Sequence, residues 1–320
     1  MPSGDGVPDE RALLTEIGFT AQEAQRIMRG DTVARTTHAD SSAVALAVAS
    51  TMAAPAAFYL EQLRDIESFK KSPEVHQIGR FGRQPSVADL AALTVEPSDV
   101  SDLKSCRAGD CGFKLDDEGI RALASREARM DSASAAMRRH LAAYTQRYLQ
   151  SGNASLIEYH DASRPRRLAD DLRLILEHSP YLRRAWPALD HAIGAFSGSL
   201  PAGLDGFVYW SKEKVGPRPV ISVTHVIISP VKGGAAAIAT KGIYASHYGH
   251  ASLGLTILLD RTTDAPRTRV IYVNRSRLDV FDGLFGTIKR PLVRSRARDG
   301  AERVMTRLRE RVEANYRARR

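Results

Sequence analysis

The residues best suited to chemistry lie in IYASHYGHASLGL, Ile243 to Leu255, where His247 and His250 stand three apart, with Tyr248 and the turn glycine Gly249 between them and Tyr244 just before. Imidazoles are the commonest metal ligands and the side chains most readily poised for acid–base work near neutral pH. With His225 they would make a three-histidine set, provided all three could approach one ion to about 2 Å. The turn-rich PVKGGA stretch argues otherwise. It centres a hairpin near Lys232 and Gly233, pairing His225 with about Thr240 and setting His247 opposite about Arg218. At about 3.3 Å per residue this separates the imidazoles by roughly 20 Å. No shared metal is expected. His247 and His250 are then either a polar turn or a functional pair, with Gly249 free to take positive φ.

His225 shares a strand face with Ile221, Val223 and Ile227. It is either a satisfied core histidine or the polar group that orients a molecule bound against that face. Trp210, Tyr244 and Tyr272, with Tyr209 and Tyr248, supply either cross-strand packing or ligand contact. Phe285 and Ile288 would face them from the C-terminal segment. The chain has no G-x-S-x-G elbow, Walker loop, G-x-G-x-x-G after a strand, or H-E-x-x-H; GAFSGS fails the elbow spacing. No catalytic residue is assigned, and no cofactor or metal is expected.

Cys106 and Cys111, in SCRAGDC, either close a small disulfide loop or remain two thiols. The bridge would stabilise by roughly 2 kcal/mol and would imply an oxidising compartment. The spacing is not C-x-x-C, and no second Cys/His pair completes a zinc site.

The elements that must position these groups follow from periodicity. Phe207–Lys212, Val220–Ile228, Ala236–Ser246, Ser252–Leu259 and Arg269–Val273 are strand-like and separated by short turn-rich links, which permit only antiparallel neighbours. Val44–Thr51 is a further strand, and KKSPEVHQIGRF could hold another. A short helix is expected over Pro8–Arg29, stopped at Gly30, within a loose N-terminal segment of residues 1–35. From about 85 to 200 helical patterns dominate: Asp117–Ser151 with a break, Arg167–His178 and Pro180–Phe196. The chain ends in a long amphipathic helix whose stripe includes Phe281, Leu284, Phe285, Ile288, Ala301, Val304, Leu308 and Val312. Ala43–Leu60 is uncharged, but Pro55 divides it into a buried strand and a helix rather than a membrane span.

The net charge of +9 is local: Lys289–Arg320 holds 12 basic and 4 acidic residues. That helix is a solvated face with arginine stems over apolar surface, or a peripheral contact for an anionic membrane. Nucleic acid is not expected, because no binding module accompanies the charge. No signal peptide opens the sequence, so the expectation is a cytoplasmic protein, or a periplasmic or extracellular one if the chain is a mature form.

The order of elements resembles the START-related helix-grip superfamily. The opening APAAFYLEQLRDIESFKKSPEV after an apolar strand, and the closing FDGLFGTIKRPLVRSRARDGAERVMTRLRERVEANY, carry the likeness over about Val44–Phe81 and Gly206–Tyr316. The resemblance implies an α+β fold over residues 36–320, with an antiparallel β meander gripping a long C-terminal helix and a mostly helical region inserted at about 85–200. It also implies a cavity between sheet and helix that takes a lipid or other hydrophobic small molecule. The residues offered to that ligand are Trp210, Ile221, Val223, His225, Ile227, Tyr244, His247, Tyr272, Phe285 and Ile288. Two alternatives stand beside binding or transfer: acid–base enzymology on the same fold, of the cyclase or hydrolase kind, and protein interaction through the insertion.

Overall fold

A computed structural model of the protein describes residues 9–37, 43–125, 129–261, 265–279 and 286–320; within the last range the side chains of 286–294, 296 and 297 are not described. The chain is α+β. Eight strands form one antiparallel sheet: β1 (Val33–Thr36), β2 (Ala43–Met52), β3 (Val75–Arg80), β6 (Asp205–Lys214), β7 (Pro219–Lys232), β8 (Ala235–Ala245), β9 (Gly249–Arg261) and β10 (Arg267–Leu278). Two further strands, β4 (Glu158–Tyr159) and β5 (Arg166–Arg167), pair apart from it.

The sheet order is β1-β2-β10-β9-β8-β7-β6-β3. Strands β6 to β10 are the meander expected from the turn chemistry. Gly233 and Gly234, both at positive φ, make the tight β7–β8 turn. Residues 43–50 of β2 are buried without alternation, as befits a strand covered on both faces. It pairs with β10 from Ala43↔Arg277 to Met52↔Thr268, which closes the meander onto the N-terminal part of the chain.

Helices cover both faces, so the sheet is the middle of three layers. One face carries Trp210, Ile221, Val223, Ile227, Leu253 and Val273 against the N-terminal helices and the insertion. The N-terminal pair is α1 (Glu10–Ile17) and α2 (Ala21–Arg29). The insertion holds α5 (Pro97–Ser105), α6 (Asp117–Leu123), α7 (Met130–Ser151), α8 (Leu168–Glu177), α9 (Pro180–Ala185) and α10 (Pro187–Gly194). The other face carries Val48, Phe207, Val226, Ile238 and Leu258 beneath α3 (Ala56–Arg64), α4 (Ile66–Phe69) and α11 (Gly286–Ala318). A large antiparallel sheet with a C-terminal helix on one face is compatible with a helix grip. Among the described residues no helix is long and apolar enough to cross a membrane.

Several sequence expectations are corrected. The single helix over Pro8–Arg29 is two, because Gly18 at φ 114° ends α1 and a Thr20–Glu23 capping box starts α2. The N-terminal segment is not loose: Leu14 and Ile27 are fully buried, and β1 adds an edge strand that composition did not reveal. Helix α5, opened by Pro97, was also not anticipated. Pro187 divides the expected Pro180–Phe196 helix into α9 and α10. On α11 the buried stripe runs through Ala301, Met305, Leu308, Val312 and Tyr316, whereas Val304 is 62% exposed. Phe281, Leu284 and Phe285 lie outside the described residues, as does the side chain of Ile288.

Candidate functional site: the cavity beneath the C-terminal helix

Strands β7 to β10 sort their side chains by size. Val223, Ile243, Leu253 and Val273 seal one face, while Ser222, Gly242, Ser252, Asn274 and Ser276 alternate with them on the face toward α11. Small and hydroxylic groups do not fill the space under a helix. Two adjoining cavities result, of about 470 and 240 Å³, which share Tyr272, Ala301 and Val304.

The smaller chamber has Leu63, Ile66, Phe69, Ile238, Met305 and Leu308 in its walls, with Lys70, Thr240 and Thr256 among them. The larger has the polar floor and reaches the β8–β9 turn. Tyr272 lies across the sheet between them, and its position depends on Gly254. A Cβ there would stand 3.0 Å from the Tyr272 hydroxyl and collide with that of Thr240. Asn274 donates to the Tyr272 hydroxyl at 3.3 Å.

One ion pair joins the two walls. Lys70, a residue of the smaller chamber, donates to Glu213 of the larger at 2.7 Å and to the Tyr209 hydroxyl at 3.3 Å. Burial disfavours the charge on Lys70, but Tyr209 and Glu213 outweigh it and hold the ammonium above its ordinary range. Burial likewise opposes ionisation of Glu213, yet Lys70 and Ser211 hold its carboxyl below the usual value. Both groups are therefore charged at neutral pH.

At the mouth the two histidines go to different partners. His247 Nε2 lies 3.1 Å from Asp99 Oδ1, both buried. His250 Nε2 lies 2.9 Å from Asp279 Oδ1, and Lys114 bridges Asp279 and Asp161 at 3.3 and 3.0 Å. Burial opposes the charge on Asp279, but His250 and the Lys114 ammonium pull its carboxyl down to about 2. Tyr248 takes the positive φ, 61°, that was expected of Gly249. Its hydroxyl accepts from Arg218 N at 3.0 Å, which fixes the turn.

His225 is elsewhere. It pairs with Lys241, one residue from the expected Thr240, because the turn centres on Gly233–Gly234 and a register shift between Ser229 and Lys232 lies between that turn and His225. It faces the insertion, with Nδ1 2.8 Å from the Tyr148 hydroxyl and Phe196 at 4.9 Å between ring centres. Lys241 beside it is fully buried and donates to Asn153 Oδ1 and, at 3.2 Å, to the Ile193 carbonyl. Burial, with the Lys241 charge, pushes His225 down to about 3; burial alone pushes Lys241 down to about 7.

Of the residues offered to a ligand, Tyr244, His247 and Tyr272 line the cavity. Trp210, Ile221, Val223, His225 and Ile227 are corrected to the opposite face, where Trp210 donates to the Asp89 carbonyl at 2.7 Å. Their shared strand face was legible, but the sheet has two covered faces and the insertion took this one. Phe285 and the side chain of Ile288 fall outside the described residues. Sequence reasoning missed Glu213, Lys70, Asp99, Lys114 and Asp279. Only the alternation in SLGLT and YVNRSR pointed to the polar floor. Cys106 and Cys111 form a disulfide in the loop that Gly109 and Cys111 tie to His160 and Asp161 through backbone hydrogen bonds.

Comparison with known protein families, curated proteins and solved structures finds no match.

Proposed function

We propose that the protein binds, and passes on, a hydrophobic small molecule or lipid held between the sheet and α11, in the manner of the START-related superfamily that its element order resembles. The observation that carries this reading is the pair of adjoining chambers beneath α11, both mostly apolar with a few polar groups, the larger over a floor of serines and Asn274. Ligand sites are typically mostly apolar with a few placed polar groups, and an amphiphile would match this pairing. Its hydrocarbon part would sit against Leu63, Phe69 and Met305, and its polar part over Ser222, Ser252 and Asn274.

The test is native mass spectrometry of protein purified from its own host, followed by organic extraction. A stoichiometric apolar compound supports the reading. A clean apo mass with no thermal shift across a lipid and sterol panel overturns it.

A second reading, acid–base catalysis on the same fold, is favoured by His247 at the cavity wall with its imidazole oriented by buried Asp99. His225 does not serve it, since it is sealed against Tyr148 on the other face. Incubating the extracted compound with fresh protein separates the two readings. Recovery of the compound unchanged in mass and structure marks a carrier, and conversion that His247→Gln abolishes marks an enzyme.

A further inference from the structure

At the far end of β9 from the His247–His250 turn, four arginines converge on a separate pocket of about 360 Å³. Arg29 comes from the end of α2, Arg261 from the end of β9, and Arg267 and Arg269 from the start of β10. Met28, Gly30, Thr51 and Ala53 also line it, and Glu313 enters from α11. Arg269 forms the base of the pocket. Its side chain is 1% exposed, its Nε donates to Glu10 Oε1 at 2.6 Å, and its Nη1 donates to Thr51. Arg261 Nη1 reaches the other oxygen of the same carboxylate, Glu10 Oε2, at 2.5 Å.

Glu10 is not itself in the lining, but its carboxylate is held by two of the lining guanidiniums at once. It does not exhaust the charge. Arg29 and Arg267 have no ion-pair or hydrogen-bond partner among the described residues, and Glu313 is turned to the Ala53 N–H at 2.8 Å. Among the described residues the lining holds four guanidiniums and one carboxylate, Glu313, with Glu10 behind two of the four. Guanidiniums present planar forks of donors that match the oxygens of phosphate or sulfate, and such charge-assisted bonds are the strong ones.

We propose that this pocket binds an oxyanion of the phosphate class, free or as the phosphoryl group of a larger molecule. Arg29 and Arg267 are its principal ligands, with Arg261 and Thr51 in support. Arg269 is a positioning residue, fixed by Glu10 so that the pocket keeps its shape when empty. Because its walls come from α2, β2, β9, β10 and α11, a bound oxyanion would tie the N-terminal helices and the C-terminal helix to the sheet. The proposal does not depend on the cavity beneath α11, with which this pocket shares no lining residue.

The experiment is calorimetric titration of the full chain with inorganic phosphate, alongside the Arg29→Ala/Arg267→Ala double variant and Arg317→Ala as a control outside the pocket. Both pocket positions are exposed, so the fold should survive; circular dichroism checks it. Hydrogen bonds to charged groups are worth about 1.5–3 kcal/mol, so each lost arginine should weaken binding about tenfold or more. Saturable binding that the double variant loses and Arg317→Ala keeps supports the site. No phosphate binding, or equal binding by the double variant, overturns it. Flotation with phosphatidic acid vesicles, against phosphatidylcholine, then identifies the source. Capture that depends on Arg29 and Arg267 places the phosphate on a lipid, and its absence with inorganic phosphate still bound places it on a soluble molecule.

Discussion

His225 Nδ1 lies 2.8 Å from the hydroxyl of Tyr148, so the middle of β7 is hydrogen-bonded to the long helix of the insertion. Both side chains are buried, and Phe196 packs on both rings. It fixes how the helical layer seats on the sheet.

Loss of the Tyr148 hydroxyl leaves a buried imidazole nitrogen without its partner. Tyr148→Phe should therefore destabilise by about 1–3 kcal/mol, measured as a shift in the urea midpoint at constant slope. The same environment makes His225 a source of acid sensitivity. Its folded value is about 3 against an ordinary 6.5, so below 6.5 the unfolded chain takes up a proton that the folded one refuses. Stability should fall as pH drops from 6.5 toward 3, by roughly 2 kcal/mol from this residue at about pH 5. His140, also buried and lowered, contributes in the same direction. The measured quantity is therefore the difference in slope between wild type and His225→Gln. Equal slopes would show that His225 is not the sensor.

Ala301 stands where the two chambers meet, facing Tyr272. A phenyl ring there would fill the junction with apolar surface. Ala301→Phe should keep or slightly raise the melting temperature while ligand occupancy falls at least tenfold. Native mass spectrometry reads the occupancy and calorimetry the stability. Unchanged occupancy in a folded variant would place the ligand elsewhere.

How much of this was legible beforehand depends on which signal each feature uses. The meander and the closing helix are written in local periodicity and turn residues, which is why Gly233–Gly234 could be read as a hairpin and Ala301–Leu308 as part of a helical stripe. The partner of each face is a long-range fact. Nothing near Ile221 or Val223 says that residues from the insertion, rather than α11, will cover them. The ion pairs were invisible for the same reason: Asp99 and His247, or Lys70 and Glu213, are far apart in sequence and meet only through the sheet order. Small residues such as Gly242, Ser252 and Gly254 carry the cavity by leaving space unfilled, and a sequence scan for chemical groups passes over them.

Gly152 allows α7 to turn back beneath Phe196. Its φ is 62°, and a Cβ would overlap the Phe196 carbonyl. Backbone cannot move aside as a side-chain end can. Gly152→Ala should destabilise by about 2 kcal/mol or more, measured by denaturant titration. A loss below about 0.5 kcal/mol, the range of an ordinary surface change, would mean that the close approach is relaxed in solution.

The disulfide between Cys106 and Cys111 spans a short loop, so its effect on the unfolded chain is small: about 2 kcal/mol in the loop-entropy treatment. Cys106→Ser/Cys111→Ser should lower stability by that order, and reductant should lower the wild type to the same level. Thiol counting under denaturing conditions checks that the bridge is present. Wild type and double variant with equal stability before reduction would show that the loop is held by its backbone bonds to His160 and Asp161 instead.

Lys241 supplies the alkaline counterpart of His225. It is fully buried on β8, over the ring of Tyr148 at 5.1 Å, and its donors go to Asn153 and the Ile193 carbonyl, with no carboxylate among them. Burial lowers it from an ordinary 10.5 to about 7. Between those values the unfolded chain holds a proton that the folded chain has released, so stability should rise with pH from 7 to about 10.5 and be flat in this group below 7. Lys241→Met keeps the stem and removes the titration. Buried tyrosines such as Tyr144 and Tyr244, held above their ordinary range, lower stability near pH 10 in both proteins. The readout is therefore the wild-type urea midpoint minus that of the variant, which should climb with pH across that window. A wild-type profile parallel to that of Lys241→Met would mean that the ammonium keeps its ordinary affinity for the proton, and that Asn153 and Ile193 compensate its burial in full.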